Sequence, residues 1–203
     1  MKITATSLLI SRGEDVVIRD LSFEAQTGEA LLIRGENGSG KSTLLRALAG
    51  LLPLDAGTIF LSSNEEFGET ELPQLCHYLG HENAMKPAMS VGENLSFWQD
   101  FAGQPHLDID EALDMVGLTG LDFVPFAHLS TGQRRRASIA RLLVSWRPVW
   151  LLDEPTSGLD AQSAQQFVDL MQAHLEDDGI IIAATHLPLD VASANVLDLV
   201  ATR

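Results

Sequence analysis

The sequence predicts an α/β domain with a mainly parallel core sheet, and three observations predict it. The stretch Gly35-Glu36-Asn37-Gly38-Ser39-Gly40-Lys41-Ser42 fits the pattern G-x-x-x-x-G-K-[ST] at every fixed position, between an apolar run, Ala30-Leu31-Leu32-Ile33, and a helix-type stretch from Thr43. Two more apolar runs read as strands: Pro148-Val149-Trp150-Leu151-Leu152, of the kind found in buried parallel sheets, and Ile180-Ile181-Ile182-Ala183-Ala184. Helical stretches separate these runs, and that alternation is how parallel sheets are built. The chain of 203 residues, 45% hydrophobic, is long enough to bury one core, so 1–203 is expected to be a single domain.

Each element follows in order. Residues 3–23 alternate strand-like runs around a polar turn, Ser11-Arg12-Gly13-Glu14-Asp15, and Val16-Val17-Ile18 and Leu21-Ser22-Phe23 suggest antiparallel strands, hence an antiparallel β subdomain. The helix after the glycine-rich loop should end at Gly50, with Pro53 preventing continuation. Asp55-Ala56-Gly57 turns into a strand, Thr58-Ile59-Phe60-Leu61. Leu75-Cys76-His77-Tyr78-Leu79-Gly80 reads as a buried strand, leading to a polar loop at His81-Glu82-Asn83. A mostly helical insertion then occupies approximately 84–145. Its first helix should start at the capping-box match Ser90-Val91-Gly92-Glu93 and run to about residue 101, and the second should cover 110–116. A second capping-box match, Ser130-Thr131-Gly132-Gln133, opens a helix through Leu143. The core resumes with the strand ending at Asp153-Glu154, a helix over 161–175, the strand ending at Thr185-His186, and a last strand over 196–200.

Composition narrows the function. No apolar run approaches the ~20 residues of a membrane-spanning helix, Met1-Lys2-Ile3-Thr4 lacks a secretory h-region, and the single cysteine, Cys76, excludes an internal disulfide and fits a reducing compartment. A cytosolic domain is expected. The formal charge is −15, and acidic residues such as Glu65, Glu66, Glu69 and Glu71 outweigh the one basic cluster, Arg134-Arg135-Arg136 with Arg141. A nucleic-acid partner is therefore not expected, because phosphate neutralisation needs a basic face. Cys76, His77 and His81 show neither zinc nor haem-attachment spacing and are read as structural.

The glycine-rich loop reads as a nucleotide site. Its glycines let successive N–H groups face a phosphate, and the following helix adds its N-terminal donors and dipole. Residues Gly35, Glu36, Asn37, Gly38, Ser39, Gly40, Lys41, Ser42 and Thr43 are the expected ATP contacts, with Lys41 on the β- and γ-phosphates and Ser42 on Mg²⁺. Asp153 ends a buried strand, where α/β sheets place ligand residues, and is expected to hold the Mg²⁺ shell. Glu154, next to it, can polarise a water for in-line attack on the γ-phosphate.

With these residues in view the chain resembles the ATP-binding cassette (ABC) family over nearly its whole length. Leu129-Ser130-Thr131-Gly132-Gln133 looks like that family's L-S-G-G-Q signature with Thr131 for the first glycine, Ser157-Gly158-Leu159-Asp160 matches its D-loop, and His186 its switch histidine. The resemblance implies a P-loop NTPase of ABC ATPase type that works as a head-to-tail homodimer with two sandwiched ATP molecules. Ser130, Gly132, Gln133 and Asp160 then belong to the nucleotide set, and His186 to the catalytic set with Glu154. Glu82 takes the place of the usual glutamine, in both catalytic and metal roles. A carboxylate there binds Mg²⁺ more tightly but repels the γ-phosphate and Glu154, so hydrolysis should be slower or differently gated. The family's adenine-stacking aromatic is absent: residues 1–22 contain no Phe, Trp or Tyr, and weak base discrimination is expected.

Tyr78-Leu79-Gly80-His81, Leu95-Ser96-Phe97-Trp98 and Thr185-His186-Leu187-Pro188-Leu189 are similar to the branch of the family serving haem export in cytochrome c biogenesis. That likeness implies ATP hydrolysis supporting haem delivery to a periplasmic chaperone, at the cytoplasmic face of a bacterial inner membrane. It also implies an integral membrane partner, CcmB-like, and a CcmC-like haem-handling subunit alongside. The coupling surface is expected in the helical insertion and near residues 82–90. Other readings are the energising subunit of a different exporter and a soluble cassette ATPase acting on ribosomes or DNA. A small-molecule kinase leaves the signature and D-loop unexplained.

Overall fold

The computed structural model describes residues 1–62, 70–186 and 189–200. Glu65, Glu66, Glu69 and the Leu187-Pro188 pair of the sequence reading lie outside these. The chain divides into two compact units, one of Met1–Gly80, Pro148–Pro155 and Met171–Arg203, the other of His81–Arg147 and Thr156–Leu170.

The first unit holds two sheets. Strands β1 (Lys2–Arg12), β2 (Asp15–Gln26) and β4 (Ala56–Ser62) form an antiparallel sheet in the order β2-β1-β4. The sequence suggested two short strands after the turn; the structure has one twelve-residue strand, β2. Register shifts on β1 against β2 absorb the interruption, and Ser7 and Asp20 there take φ of 47° and 51°. The second sheet is wholly parallel. It contains β5 (Cys76–Leu79), β6 (Val149–Asp153), β7 (Ile180–Ala184), β3 (Ala30–Arg34) and β8 (Ala194–Asp198), in the order β5-β6-β7-β3-β8. Every residue of β6 and β7 is buried, as their unbroken apolar runs required. Leu75 belongs not to β5 but to a 3₁₀ turn, Leu72–Leu75, which Pro73 opens.

Between β3 and β4 the helix α1 (Lys41–Leu48) packs on β6 and β7. It stops as expected: Gly50 at φ 70° donates to Ala47 O, and Leu51 donates to Arg46 O, closing the last turn. Leu44, Leu45 and Leu48 of α1 are fully buried with Ile33, Leu151, Ile180 and Ile182 of the sheet and Ile3, Leu8 and Ile10 of β1. Each such side chain contributes roughly 1.5–3 kcal/mol through burial. This core fixes the carboxyl ends of β3, β6 and β7, where the residues expected from the sequence to contact nucleotide stand.

The second unit is helical. It contains α2 (Val91–Ala102), α3 (Ile109–Met115), α4 (Thr131–Leu143) and residues 161–170 of α5 (Ala161–Glu176). Its interior includes Leu95, Leu113, Ile139, Leu142 and Phe167. Both expected capping boxes form. Ser90 Oγ accepts from Glu93 N at 3.1 Å while Ser90 N donates to Glu93 Oε2 at 2.7 Å. Arg136 of α4 donates to the carbonyls of Val116 and Gly117, satisfying the end of α3.

Candidate functional site

The loop between β3 and α1 curls because Gly35, Gly38 and Gly40 take φ of 153°, 84° and 100°. Gly40 shows why a side chain is not tolerated there: a Cβ would lie 2.8 Å from Val17 Cγ1. Lys41 is only 8% exposed, and its Nζ donates to Gly35 O at 2.8 Å and Glu36 O at 3.1 Å, bracing the loop from within. Ser42 follows in the first turn of α1, whose unpaired N–H groups and dipole favour an anion. Ser39 Oγ is buried without a hydrogen-bond partner among the described residues.

The same unit carries the acidic pair. Asp153 ends β6 and is 5% exposed. Glu154 leaves the strand with φ 48°, a left-handed conformation that non-glycine residues rarely adopt, held by its N–H donating to Ala184 O at 2.8 Å. That bend turns its carboxylate to His186, just beyond β7, where Nδ1 lies 2.8 Å from Oε2. Glu154 and His186 stand 32 positions apart in sequence and meet because β6 and β7 are neighbours in register. Tyr78, read from the sequence only as part of a strand and of a family likeness, interacts with both Arg46 and Asp153. Burial raises the Tyr78 phenol above its ordinary pKa, the Arg46 guanidinium pulls it back, and the Asp153 carboxylate acts with burial.

Ser130, Gly132, Gln133, Asp160 and Glu82 belong to the second unit. Ser130 Oγ accepts from Gln133 N at 3.2 Å, and Gln133 Oε1 accepts from Ser130 N at 2.9 Å. A Cβ on Gly132 would lie 3.6 Å from Gly158 O, so the structure brings the signature and D-loop stretches together. Asp160 precedes α5, and its Oδ1 accepts from Ser163 N at 2.8 Å. The Ser163 N–H, then the Ser163 side chain, with a further share from Arg136, hold the Asp160 carboxyl below its usual pKa. Glu82 lines a groove of about 440 Å³ with Met85, Lys86, Phe97, Trp98 and Phe126. Asn94, 2% exposed, fixes one wall: it accepts from Lys86 N at 2.7 Å and donates to Lys86 O at 3.1 Å and Ser90 O at 2.9 Å. Trp98 Nε1 donates to Ala84 O at 2.8 Å, and Lys86 Nζ sits 5.0 Å from the Phe97 ring centroid. Nothing in the sequence reading singled out Asn94; its polar side chain in an amphipathic helix was the available signal.

Comparison with known proteins decides the family. The ABC transporter profile matches residues 18–157. Over 197 residues the chain is 53% identical to the cytochrome c biogenesis ATP-binding export protein CcmA of Chelativorans sp. (strain BNC1), covering 97% of each chain. The chain belongs to the ABC transporter family. The protein of the same description from Brucella abortus (strain 2308) is 52% identical over 194 residues, covering 96% of this chain and 89% of that one. The ABC fold is matched by a solved Pyrococcus furiosus protein assigned as an ABC transporter ATP-binding protein, with TM-score 0.83 over 98% of both chains at 21% identity. As an ABC ATP-binding subunit the chain is an ATPase, and subunits of this family dimerise and work with membrane transporter subunits. No helix among the described residues is long and apolar enough to cross a membrane.

The first unit fits ATP with a divalent cation. A curled glycine loop, a buried ammonium, a helix N-terminus and an orphan buried hydroxyl suit phosphate oxygens. Ser42 and Asp153 are oxygen donors of the hard type that Mg²⁺ prefers.

Proposed function

We propose that this ABC subunit hydrolyses ATP to drive an export step of cytochrome c biogenesis, through an integral membrane partner. The observation that carries the reading is the convergence of Lys41, Ser42, Asp153, Glu154 and His186 at the carboxyl ends of adjoining parallel strands in one unit. The export step rests on the roughly 50% identity to proteins described as cytochrome c biogenesis export subunits. Haem is the species we assign to that step, with a CcmB-like membrane subunit as partner and a CcmC-like subunit alongside. The chain then works peripherally at the cytoplasmic face of the inner membrane.

In this reading residues 35–43 bind the phosphates, with the Lys41 ammonium moving from loop carbonyls to phosphate oxygens. Ser42 and Asp153 would hold Mg²⁺, with Glu82 assigned to the same metal set, and the ion would supply neutralising charge to the phosphates. Glu154 accepts a proton from the attacking water as its oxygen bonds to the γ-phosphorus and the bridging oxygen leaves with ADP. His186 orients Glu154 and bonds a γ-phosphate oxygen. Ser130, Gly132 and Gln133 present the N-terminus of α4 to the γ-phosphate of a second copy, and Asp160 supports that face. The chain acts as one ATP-binding domain with a helical subdomain over approximately 84–145, a reading to which the second unit's run of His81–Arg147 lends support. The apolar groove beside Glu82 is the surface we assign to the membrane subunit.

Glu154→Gln tests both halves. Turnover should fall by about 10²–10⁴-fold, the range for loss of a general base, with ATP binding retained. Purified in mild detergent with ATP, the variant should bring down haem-handling membrane proteins. Wild-type turnover would overturn the assignment of Glu154, and recovery of an unrelated permease would overturn the export step.

A further inference from the structure

The strand β5 carries a residue that the hydrolytic machinery does not use. In the parallel pairing of β5 with β6, Tyr78 stands against Leu151 and Leu79 against Leu152, so the next position, Gly80, falls beside Asp153. Side chains two apart share a face, which puts Tyr78, Gly80 and Asp153 on one side of the sheet. The phenol leans forward over Gly80. A Cβ at Gly80 would lie 2.9 Å from Tyr78 Cε1 and 3.0 Å from its hydroxyl, so glycine is what lets the ring lie there. The hydroxyl is thereby held on the Asp153 side of the sheet, in a place shielded from water, where the phenol feels both the Asp153 carboxylate and Arg46, on the solvent side of α1.

The chemistry of the three groups allows one self-consistent order. A guanidinium only donates, an ionised carboxylate only accepts, and a phenol does both. In that order Arg46 would donate to the Tyr78 oxygen and Tyr78 would donate to Asp153. A neutral phenol can fix the carboxylate without adding a formal charge of its own, so it does not cancel the charge that a cation needs. Outer-shell partners of this kind orient metal-binding carboxylates.

We propose that Tyr78 is a positioning residue for Asp153, seated by the absence of a side chain at Gly80 and tied by Arg46 to the helix that follows the phosphate loop. The inference rests on the reading of Asp153 as a cation ligand. It concerns the affinity for the cation, and neither ATP affinity at saturating cation nor folding should change much.

The test measures Mn²⁺ binding to the full chain with ATP by electron paramagnetic resonance, alongside thermal unfolding, for Tyr78→Phe, Gly80→Ala, the double variant and Asp153→Asn. Tyr78→Phe keeps the ring and its packing but loses the hydroxyl, and should raise the Mn²⁺ dissociation constant about tenfold, within the usual range for an outer-shell loss. Gly80→Ala should do the same by displacing the ring, and the double variant should be little worse than either, because both remove one interaction. If Tyr78→Phe cannot be obtained folded, Gly80→Ala reads the same quantity. Asp153→Asn that weakens Mn²⁺ binding, with Tyr78→Phe or Gly80→Ala within twofold of wild type, overturns the role of Tyr78 and leaves Asp153 as ligand. Fully additive effects in the double variant overturn it too. Unchanged Mn²⁺ binding in Asp153→Asn overturns the ligand reading and this inference with it.

Discussion

Ser130 separates structural from functional use of one hydroxyl. Its Oγ accepts the Gln133 N–H at 3.2 Å while its own N–H donates to Gln133 at 2.9 Å. Ser130→Ala removes the first of these bonds. Because Ser130 is exposed, water replaces part of the loss, and N-cap deletions of this kind cost about 1 kcal/mol. For a chain of this length that is a fall of about 2–4 °C in the unfolding midpoint. Ser130→Asp retains an acceptor of equal capping quality and adds a charge that the helix N-terminus favours, so its midpoint should stay near wild type. The two variants part ways in turnover. If the N-terminus of α4 receives a partner's γ-phosphate, Ser130→Asp sets an anion against an anion and should lose ATPase activity and ATP-dependent dimerisation more severely than Ser130→Ala. Calorimetry, steady-state phosphate release and sedimentation on the same preparations decide the matter. Wild-type turnover in Ser130→Asp would reduce Ser130 to an ordinary cap and refute its place in the nucleotide set.

Two further expectations follow from particular contacts. Asp160 has its carboxyl held below the usual range by Ser163, so its capping stabilisation is complete above the unfolded value, about 3.9, and is lost as pH falls through the lower folded value. Asp160→Asn caps without titrating; urea unfolding at neutral and acidic pH should show a shallower acid loss in the variant, and identical acid limbs would contradict the assignment. Glu82→Gln removes a charge from the expected metal set. It should raise the Mg²⁺ concentration needed for half-maximal turnover and speed the hydrolytic step, and unchanged values of both would remove Glu82 from the site.

The legible parts of the sequence were those with local causes. The unbroken apolar runs of β6 and β7 gave buried parallel strands, the Ser-x-x-Glu and Ser-x-x-Gln spacings gave both capping boxes, and the glycine spacing gave the loop before α1. The continuous β2 was misread as two strands, because a bulge restores pairing in three dimensions after a break in the apolar pattern. At the site, residue types at a strand end pointed to Asp153 and Glu154, and the family resemblance pointed to His186. The left-handed backbone of Glu154 that turns it to His186 left no trace in composition, since nothing about a glutamate before proline announces φ 48°. Tyr78 was hidden for another reason. Its position beside Asp153 depends on the register between strands some seventy residues apart and on an empty space at Gly80.

The two bonds from the Lys41 ammonium to the Gly35 and Glu36 carbonyls have a thermodynamic consequence for nucleotide capture. A glycine-rich loop left to itself would sample many shapes, and fixing each residue costs roughly 1–2 kcal/mol of conformational entropy. Here the lysine acts as a splint, so that ordering is completed during folding and not at the moment a phosphate arrives. Exchange of two carbonyls for two phosphate oxygens on one cation keeps the number of its partners constant. Nucleotide association should therefore carry a small entropic penalty from this loop, and release of product should leave the loop in the shape that the next nucleotide needs.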